Sequence, residues 1–175
     1  KSLPAAVEAA KQSDVAIVIA GNYMTEFVDR RCLSLECPPA YGDQDSLISA
    51  VAEANPRTVV VLETGAPVLT PWRDQVSALV SAWYPGQSPG PVLADLIYGV
   101  TDPGGRLPVT FPADEAQIPL SGNSALYPGV NDILSYGDGV NVGYRSYRMR
   151  GQTPAFAFGS GLSYTKFRAG KLKVL

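Results

Sequence analysis

Histidine is absent from the 175 residues of this chain. The absence excludes Ser-His-Asp and Cys-His catalytic groups and disfavours a zinc site. Any acid–base chemistry must therefore use carboxylates, lysines or tyrosines. We expect neither a metal nor a cofactor.

An excess of positive charge is also missing, as are long apolar runs. The net charge is −2 and the isoelectric point is about 5.1, so the chain lacks the basic surface that phosphate backbones require, and we expect no nucleic-acid partner. No apolar run approaches the roughly 18 residues of a membrane-spanning helix, so we expect no membrane partner. The stretch from Gly21 to Glu26 lacks the G-x-G-x-x-G pattern, which argues against a nucleotide cofactor.

Cysteine is scarce. The chain has only Cys32 and Cys37, which are separated by four residues. In an exported protein they could close a small disulfide ring, and in a cytosolic protein they would be ordinary thiols. The chain opens with Lys1 instead of Met, and no signal peptide precedes Leu3, so we expect a piece of a longer polypeptide. We expect that polypeptide to be secreted or periplasmic rather than cytoplasmic.

The pattern that is present is that of an α/β domain. Hydrophobic residues make up 46% of the chain and charged residues 17%, which suits a folded domain. Helical patterns alternate with apolar, β-branched runs, and the predicted segments are helix 3–11, strand 14–20, helix 45–54, strand 58–64, strand 77–83 and helix 91–98. We expect the first strand to be buried on both faces, as in a parallel sheet covered by helices. A strand-like segment at 108–111 and short segments at 142–145 and 154–158 follow.

A long loop follows the first predicted strand, from about residue 22 to residue 43. Ligands of open α/β sheets gather beyond the carboxyl ends of the strands, where this loop lies. The loop also holds the densest group of charged side chains, which are Glu26, Asp29, Arg30, Arg31 and Glu36. Taken alone, Glu26 with Asp29 and Arg30 fits a solvated loop braced by an ion pair.

A set of short motifs covers nearly the whole chain. The first is Glu26-Phe27-Val28-Asp29-Arg30, which is followed by Leu33-Ser34-Leu35, Asp43-Gln44-Asp45 and Leu47-Ile48. Later motifs are Thr64-Gly65-Ala66-Pro67, Trp83-Tyr84-Pro85-Gly86-Gln87, Asp102-Pro103-Gly104-Gly105-Arg106, Val142-Gly143-Tyr144-Arg145 and Phe158-Gly159-Ser160-Gly161-Leu162-Ser163-Tyr164. In composition and order these motifs resemble the second domain of family 3 glycoside hydrolases of the β-glucosidase kind.

The resemblance implies a fold and a partner. The fold would be α/β, a three-layer (α/β)6 sandwich with a mostly parallel central sheet. Residues 1–165 would form this C-terminal domain, and residues 166–175 would begin a linker toward a possible fibronectin-like domain. The partner would be an N-terminal (β/α)8 barrel domain of the same enzyme, with the active site between the two domains.

The resemblance also assigns roles in the long loop. Glu26 matches the glutamate that acts as acid/base in the family, and Asp29 and Arg30 would hold its loop. Glu36 is the alternative acid/base, because the loop here has no glycine beside Glu26 and is longer than the usual connection.

Three residues outside that loop could edge a subsite for the leaving group. They are Trp83, Tyr84 and Arg145, and each has a structural alternative. Trp83 and Tyr84 could serve packing at a strand end. Arg145 could tie down the C-terminal region.

The implied function is hydrolysis of terminal, non-reducing β-D-glycosyl residues with retention. The substrate would be a β-glucoside or an oligosaccharide, with a β-xyloside as the second choice. The nucleophilic aspartate would belong to the barrel, so we expect these 175 residues alone to hydrolyse nothing. A rival function is a non-catalytic carbohydrate-binding or interaction domain, because a fold does not fix a function.

Overall fold

The computed structural model describes residues 2–27, 30–37, 42–118, 122–168 and 170–173. Its helices and strands are α1 (Leu3–Lys11), β1 (Ala16–Gly21), α2 (Gln44–Ala54), β2 (Thr58–Glu63), β3 (Ala78–Ser81), α3 (Pro89–Ile97) and α4 (Tyr144–Arg150). The three predicted strands and the three predicted helices are confirmed, with boundaries that differ by two residues or fewer. Within the described ranges, no helix is both long enough and apolar enough to cross a membrane.

The three strands form one parallel sheet in the order β1-β2-β3, which confirms the α/β class. Ile17 of β1 lies beside Val59 of β2, and Val60 lies beside Leu79 of β3. Adjacent parallel strands need a crossover connection, and α2 supplies it between β1 and β2. The long predicted loop therefore leaves the carboxyl end of β1 before it enters α2.

One face of the sheet carries the larger core. Val60 and Leu62 of β2 have no exposed surface, and they pack in one cluster with Ile48 of α2 and with Trp72, which are equally buried. Each such side chain contributes about 1.5–3 kcal/mol relative to an exposed position. This cluster fixes α2, and hence the end of the long loop, against the sheet.

Helix α1 is attached to α2 by small side chains and one amide. Ala10, Ala16 and Val51 form a second buried cluster. Asn55 Nδ2 donates to the carbonyl oxygens of Ala10 (3.0 Å) and Ser13 (2.8 Å). The Ala10 carbonyl oxygen also accepts from the N–H of Ser13 (3.2 Å), so the Asn55 amide adds a second bond there and ties the end of α1 to the end of α2.

The second face of β1 is open, so the prediction that β1 is buried on both faces is wrong. The exposed fractions are 46% for Val15, 43% for Ile17 and 60% for Ile19. Strand β1 lies at the edge of the described sheet, and its outer side chains have no cover there. An apolar run cannot reveal by itself whether the covering element belongs to the same segment of chain.

The described residues hold three strands, where the sandwich implied by the resemblance has six. The segments 108–111 and 154–158 meet only at one antiparallel bridge, between Phe111 and Phe156. Pro108, Pro112 and Pro154 lack the N–H that a longer ladder would need. The segment 142–145 leads into α4, and the domain boundary at residue 165 stays a prediction.

Candidate active site

The loop that leaves β1 carries the predicted acid/base residue. The side chain of Glu26 is exposed, beyond the carboxyl end of β1. Because β1 and β2 are parallel, the loop starts at the same edge of the sheet as the segment that follows β2. Val28 and Asp29 lie outside the described residues, so the bracing role of Asp29 stays a prediction.

A polar cavity of about 420 Å³ opens at this edge of the sheet. Its lining includes Gly21, Asn22, Gln44, Glu63 and Tyr84. A carboxylate, two amides and a phenol together both donate and accept hydrogen bonds. Both amide atoms of Gln44 and the Tyr84 hydroxyl are bonded within the protein, so the Glu63 carboxyl and Asn22 Nδ2 are the groups of this lining without an assigned partner among the described residues.

Gln44 fixes the backbone at the start of the loop. Its Nε2 donates to the carbonyl oxygen of Gly21 (2.8 Å), and its Oε1 accepts from the N–H of Gly21 (3.0 Å). In a parallel strand, the N–H and C=O of one residue point to the same side. Gln44 therefore occupies the position that a further strand would take beside Gly21.

Tyr84 closes the cavity against Asn22. The Tyr84 hydroxyl lies 2.8 Å from the Asn22 carbonyl oxygen and 3.1 Å from its Oδ1. A side chain at Gly65 would lie 2.8 Å from the Tyr84 ring and 3.0 Å from Met24 Sδ, so only glycine leaves room for this arrangement. Asn22 is buried, and its Nδ2 has no hydrogen-bond partner within the described part of the chain.

Arg30 ties the loop to itself and to the segment after β2. Its Nη2 donates to the Ser34 carbonyl oxygen (2.8 Å), and its Nη1 lies 3.5 Å from the Pro67 carbonyl oxygen. Burial lowers the pKa of the half-buried guanidinium, and the nearby Tyr84 and Glu115 oppose that shift. Arg30 thus braces the loop through carbonyl groups.

Asp45, in the first turn of α2, joins the loop to the core. Its Oδ1 accepts from Trp72 Nε1 (2.7 Å), and its Oδ2 accepts from the N–H of Leu35 (3.3 Å). Burial raises the pKa of Asp45, and the two hydrogen bonds partly offset the shift. Leu35 is 1% exposed, so this contact anchors the middle of the loop in the core.

Two further contacts hold the same part of the loop. The N–H of Leu33 donates to Glu115 Oε1, and the Leu33 carbonyl oxygen accepts from the N–H of Leu69 (3.0 Å). Cys32 and Cys37 form a disulfide in this structure. The segment from residue 30 to residue 37 is therefore attached to the core at several points, although it has no helix or strand.

Glu36, the alternative acid/base, lies at the outer side of this segment. Its side chain is exposed, and a hydrogen bond with Asp43 is the largest cause that raises its pKa, followed by the negative charge of Asp43. Asp43 caps α2 by accepting from the N–H of Ser46 (2.9 Å). Glu36 is therefore directed toward the start of α2, and its partner already has a structural role.

Of the three possible subsite residues, only Tyr84 lines the cavity. Trp83 packs against the larger core, with its ring 6.0 Å from that of Phe111. Arg145, on α4, lies over the Tyr144 ring and 3.4 Å from the Val140 carbonyl oxygen. No described contact connects Arg145 to the cavity.

Sequence reasoning did not find most of the residues that hold the loop. Gln44 and Asp45 stand inside a motif, but nothing local predicts that their side chains reach Gly21 and Trp72. Glu115 accepts a hydrogen bond from Leu33, which lies 82 positions earlier in the chain. No sequence periodicity can predict a contact over that separation. Polar residues such as Gln44 and Asp45 at the start of a helix predict only that the helix is capped, and they do not predict which distant residues the side chains contact.

The side chains at the carboxyl edge of the sheet provide carboxyl groups and uncharged hydrogen-bond donors. Among the described residues, no group of three potential ligands could hold a metal ion. A glutamate such as Glu26 is a side chain that can donate or accept a proton.

Comparisons with known proteins agree on one family. Residues 1–164 match the glycosyl hydrolase family 3 C-terminal domain. A β-glucosidase of Rhizobium radiobacter is 42% identical over 169 residues, which are 94% of this chain and 20% of that protein. The thermostable β-glucosidase B of Acetivibrio thermocellus is 42% identical over 97% of this chain and 22% of its own length. The chain thus spans about one fifth of these relatives.

Solved structures show the same similarity. The β-glucosidase DesR of Streptomyces venezuelae, in complex with D-glucose, superposes with a TM-score of 0.89 at 45% identity, over 94% of this chain and 20% of that one. A β-glucosidase of Kluyveromyces marxianus, in complex with glucose, gives 0.85 at 36% identity, over 95% of this chain and 19% of its own.

Proposed function

The chain belongs to the glycosyl hydrolase family 3 C-terminal domain family, and from that premise we propose that it is the acid/base-bearing part of a retaining β-glucosidase. The observation that carries the proposal is the position of Glu26. It is exposed on the loop that leaves the carboxyl edge of the sheet, and Asn22 at the start of that loop lines the cavity. The relatives are named as β-glucosidases, which supports a β-glucoside substrate.

In the proposed mechanism, Glu26 works with a carboxylate from outside these residues. That carboxylate attacks the anomeric carbon, and Glu26 donates its proton to the oxygen of the departing group. Glu26 then takes a proton from the water that hydrolyses the glycosyl-enzyme, so the product keeps its configuration. The bonds of Arg30, Gln44 and Asp45 hold the loop while the proton moves.

The proposed partner is a barrel domain of the same polypeptide. The exposed loop at Glu26 supports it, because retaining hydrolysis needs two carboxyl groups roughly 5 Å apart. The open face of β1 also supports it, since the Ile17 and Ile19 side chains expose apolar surface there. We expect the rest of the enzyme to cover part of this surface.

The 175 residues alone are expected to release no nitrophenol from 4-nitrophenyl β-D-glucoside, while the full-length enzyme releases it. The reason is that the attacking carboxylate is proposed to lie outside the chain. Proton NMR of the first glucose released by the full-length enzyme should show the β-anomer. A 4-nitrophenyl β-D-xyloside series tests the second substrate.

The control for this experiment is cooperative urea unfolding of the isolated chain, which separates a folded inactive domain from an unfolded one. Turnover by the isolated chain, or release of the α-anomer by the enzyme, would contradict the proposal. A full-length enzyme that binds glucosides without cleaving them would instead favour a carbohydrate-binding domain.

We also propose that the enzyme is exported, secreted or periplasmic. The Cys32–Cys37 disulfide supports this location, because disulfides persist in oxidising compartments. Enzyme isolated from culture medium or periplasm with thiols blocked at lysis is expected to show no free thiol at these positions by mass spectrometry. Two alkylated cysteines would contradict it.

A further inference from the structure

Glu115 contacts the loop that carries Glu26 from a distant part of the chain. It begins a one-turn 3-10 helix (Glu115–Gln117) that follows α3. Its Oε1 accepts from the N–H of Leu33 in a partly buried bond, further along the same loop as Glu26. The other bonds that hold the loop come from the loop itself, from α2 or from the segment after β2. Glu115 therefore links the loop to the region after α3.

The segment that carries Glu115 is itself attached to the rest of the fold. Phe111 is buried in the larger core and pairs with Phe156 in the antiparallel bridge. At the other end of the segment, Gln117 Nε2 donates to the Thr153 carbonyl oxygen (3.0 Å). Both ends are thus fixed, so the carboxyl of Glu115 reaches the loop from a rigid base.

The carboxyl of Glu115 also acts on Arg30, which precedes Leu33 in the loop. Burial lowers the pKa of the Arg30 guanidinium, and Tyr84 and Glu115 oppose that shift. Arg30 Nη2 donates to the Ser34 carbonyl oxygen (2.8 Å), so its side chain closes residues 30–34 into a turn. Glu115 holds this turn at its centre, through the N–H of Leu33.

The bond at Leu33 lies between Glu26 and the anchor of the loop at Leu35. Asp45 holds the N–H of Leu35 from α2, and Leu35 is buried in the larger core. Without Glu115, that anchor remains, whereas the N–H of Leu33 loses its acceptor. We therefore expect the part of the loop before Leu33 to shift while the core stays packed.

We propose that Glu115 is a positioning residue for proton transfer by Glu26, and that it acts through its hydrogen bond to the N–H of Leu33. This inference rests on the proposed function, because it assumes that Glu26 donates the proton to the leaving group. Glu115 needs no contact with the substrate in this role. Its effect should therefore appear on substrates whose leaving group needs a proton, and not on the others.

The test compares Glu115→Ala with Glu115→Gln in the full-length enzyme. Alanine removes the acceptor, so kcat/KM on methyl β-glucoside is expected to fall about tenfold, less than the roughly 10²-fold cost of a 1 Å misplacement because the other bonds of the loop remain. On 2,4-dinitrophenyl β-glucoside, whose leaving group needs no proton, kcat/KM should stay within about twofold. Glutamine keeps an acceptor oxygen for Leu33, so Glu115→Gln should stay within about threefold of the parent on both substrates.

The matched control is Glu53→Ala, which removes an exposed carboxyl on α2 and should change kcat/KM by less than about twofold on both substrates. Equal falls of Glu115→Ala on the two substrates would overturn the inference, because a merely structural loss does not distinguish leaving groups. No change in Glu115→Ala would overturn it, and so would an equal loss in Glu115→Gln, which keeps the acceptor. The proposed function fails separately, if Glu26→Ala leaves turnover unchanged; a need for Glu26 together with a uniform Glu115→Ala effect sinks only this inference.

Discussion

Full-length enzyme that carries Glu26→Ala is expected to lose about 10²- to 10⁴-fold in kcat/KM on methyl β-glucoside, the usual contribution of a positioned general acid. Methoxide is a poor leaving group and needs the proton. On 2,4-dinitrophenyl β-glucoside, whose leaving group needs no proton, the loss in kcat/KM should stay below about tenfold. This difference between substrates is the signature of a lost proton donor.

The matched control is Glu36→Ala, which removes the other candidate carboxyl of the same loop. Glu36 is exposed and directed toward Asp43, so we expect kcat/KM to change by less than about twofold. Added azide should accelerate the Glu26→Ala enzyme on the dinitrophenyl substrate and yield β-glucosyl azide, because azide needs no general base. If Glu36→Ala shows the large, leaving-group-dependent loss instead, the roles of the two glutamates are exchanged. Unchanged turnover in both variants would rule out a catalytic role for this loop.

Asp45→Ala should lower the free energy of unfolding of the chain by about 2–4 kcal/mol. The substitution leaves two buried donors without partners, Trp72 Nε1 and the N–H of Leu35, and each costs about 1–3 kcal/mol. Urea unfolding followed by tryptophan fluorescence measures the change. The control is Asp74→Ala, whose exposed carboxyl makes only a 3.8 Å ion pair with Arg73, and it should change stability by less than about 0.5 kcal/mol. Equal losses in the two variants would contradict the anchoring role.

The loss of stability caused by Asp45→Ala is expected to depend on pH in a defined direction. The pKa of Asp45 is raised in the folded chain, mainly by burial, so the folded state holds the proton more tightly than the unfolded state. The stability that this carboxyl contributes is therefore fully present below its ordinary pKa and declines as pH rises through the raised value. The penalty of Asp45→Ala should be largest in acid and smaller near neutrality. A penalty that grows with pH would contradict the assigned shift.

The sequence-based predictions were strongest where information is local. The apolar, β-branched runs predicted β1 to β3, because such short runs bounded by turn residues favour strands. The segment 108–111 also contains strand-forming residues, but it forms a single bridge, since its prolines remove ladder donors. The open face of β1 shows a second limit of sequence-based prediction. Apolar side chains indicate that a strand face should be covered, but they do not identify the element that covers it.

For the candidate site, the motif at Glu26 identified the loop but not what holds it. Arg30 was expected to brace the loop and contacts two carbonyl groups, whereas Asp29 lies outside the described residues. Trp83 and Tyr84 are neighbours in sequence, yet one packs in the core and the other lines the cavity. Adjacent side chains point in different directions along the backbone, and only the packing of the core decides which of the two is buried.

The amino-acid sequence by itself determined that this is an α/β domain without histidine chemistry, with its charged loop at the carboxyl end of the first strand. Hydrophobic periodicity and residue type determine local structure over a few neighbouring positions, so they can be recognised from the sequence alone. Only the tertiary structure decided that Gln44 closes the edge at Gly21, that Asp45 links Leu35 to Trp72, and that the described residues leave Phe27 exposed beside Glu26. Those contacts depend on how α2 and the loop cross the sheet, because side chains far apart in sequence become neighbours only when the core packs.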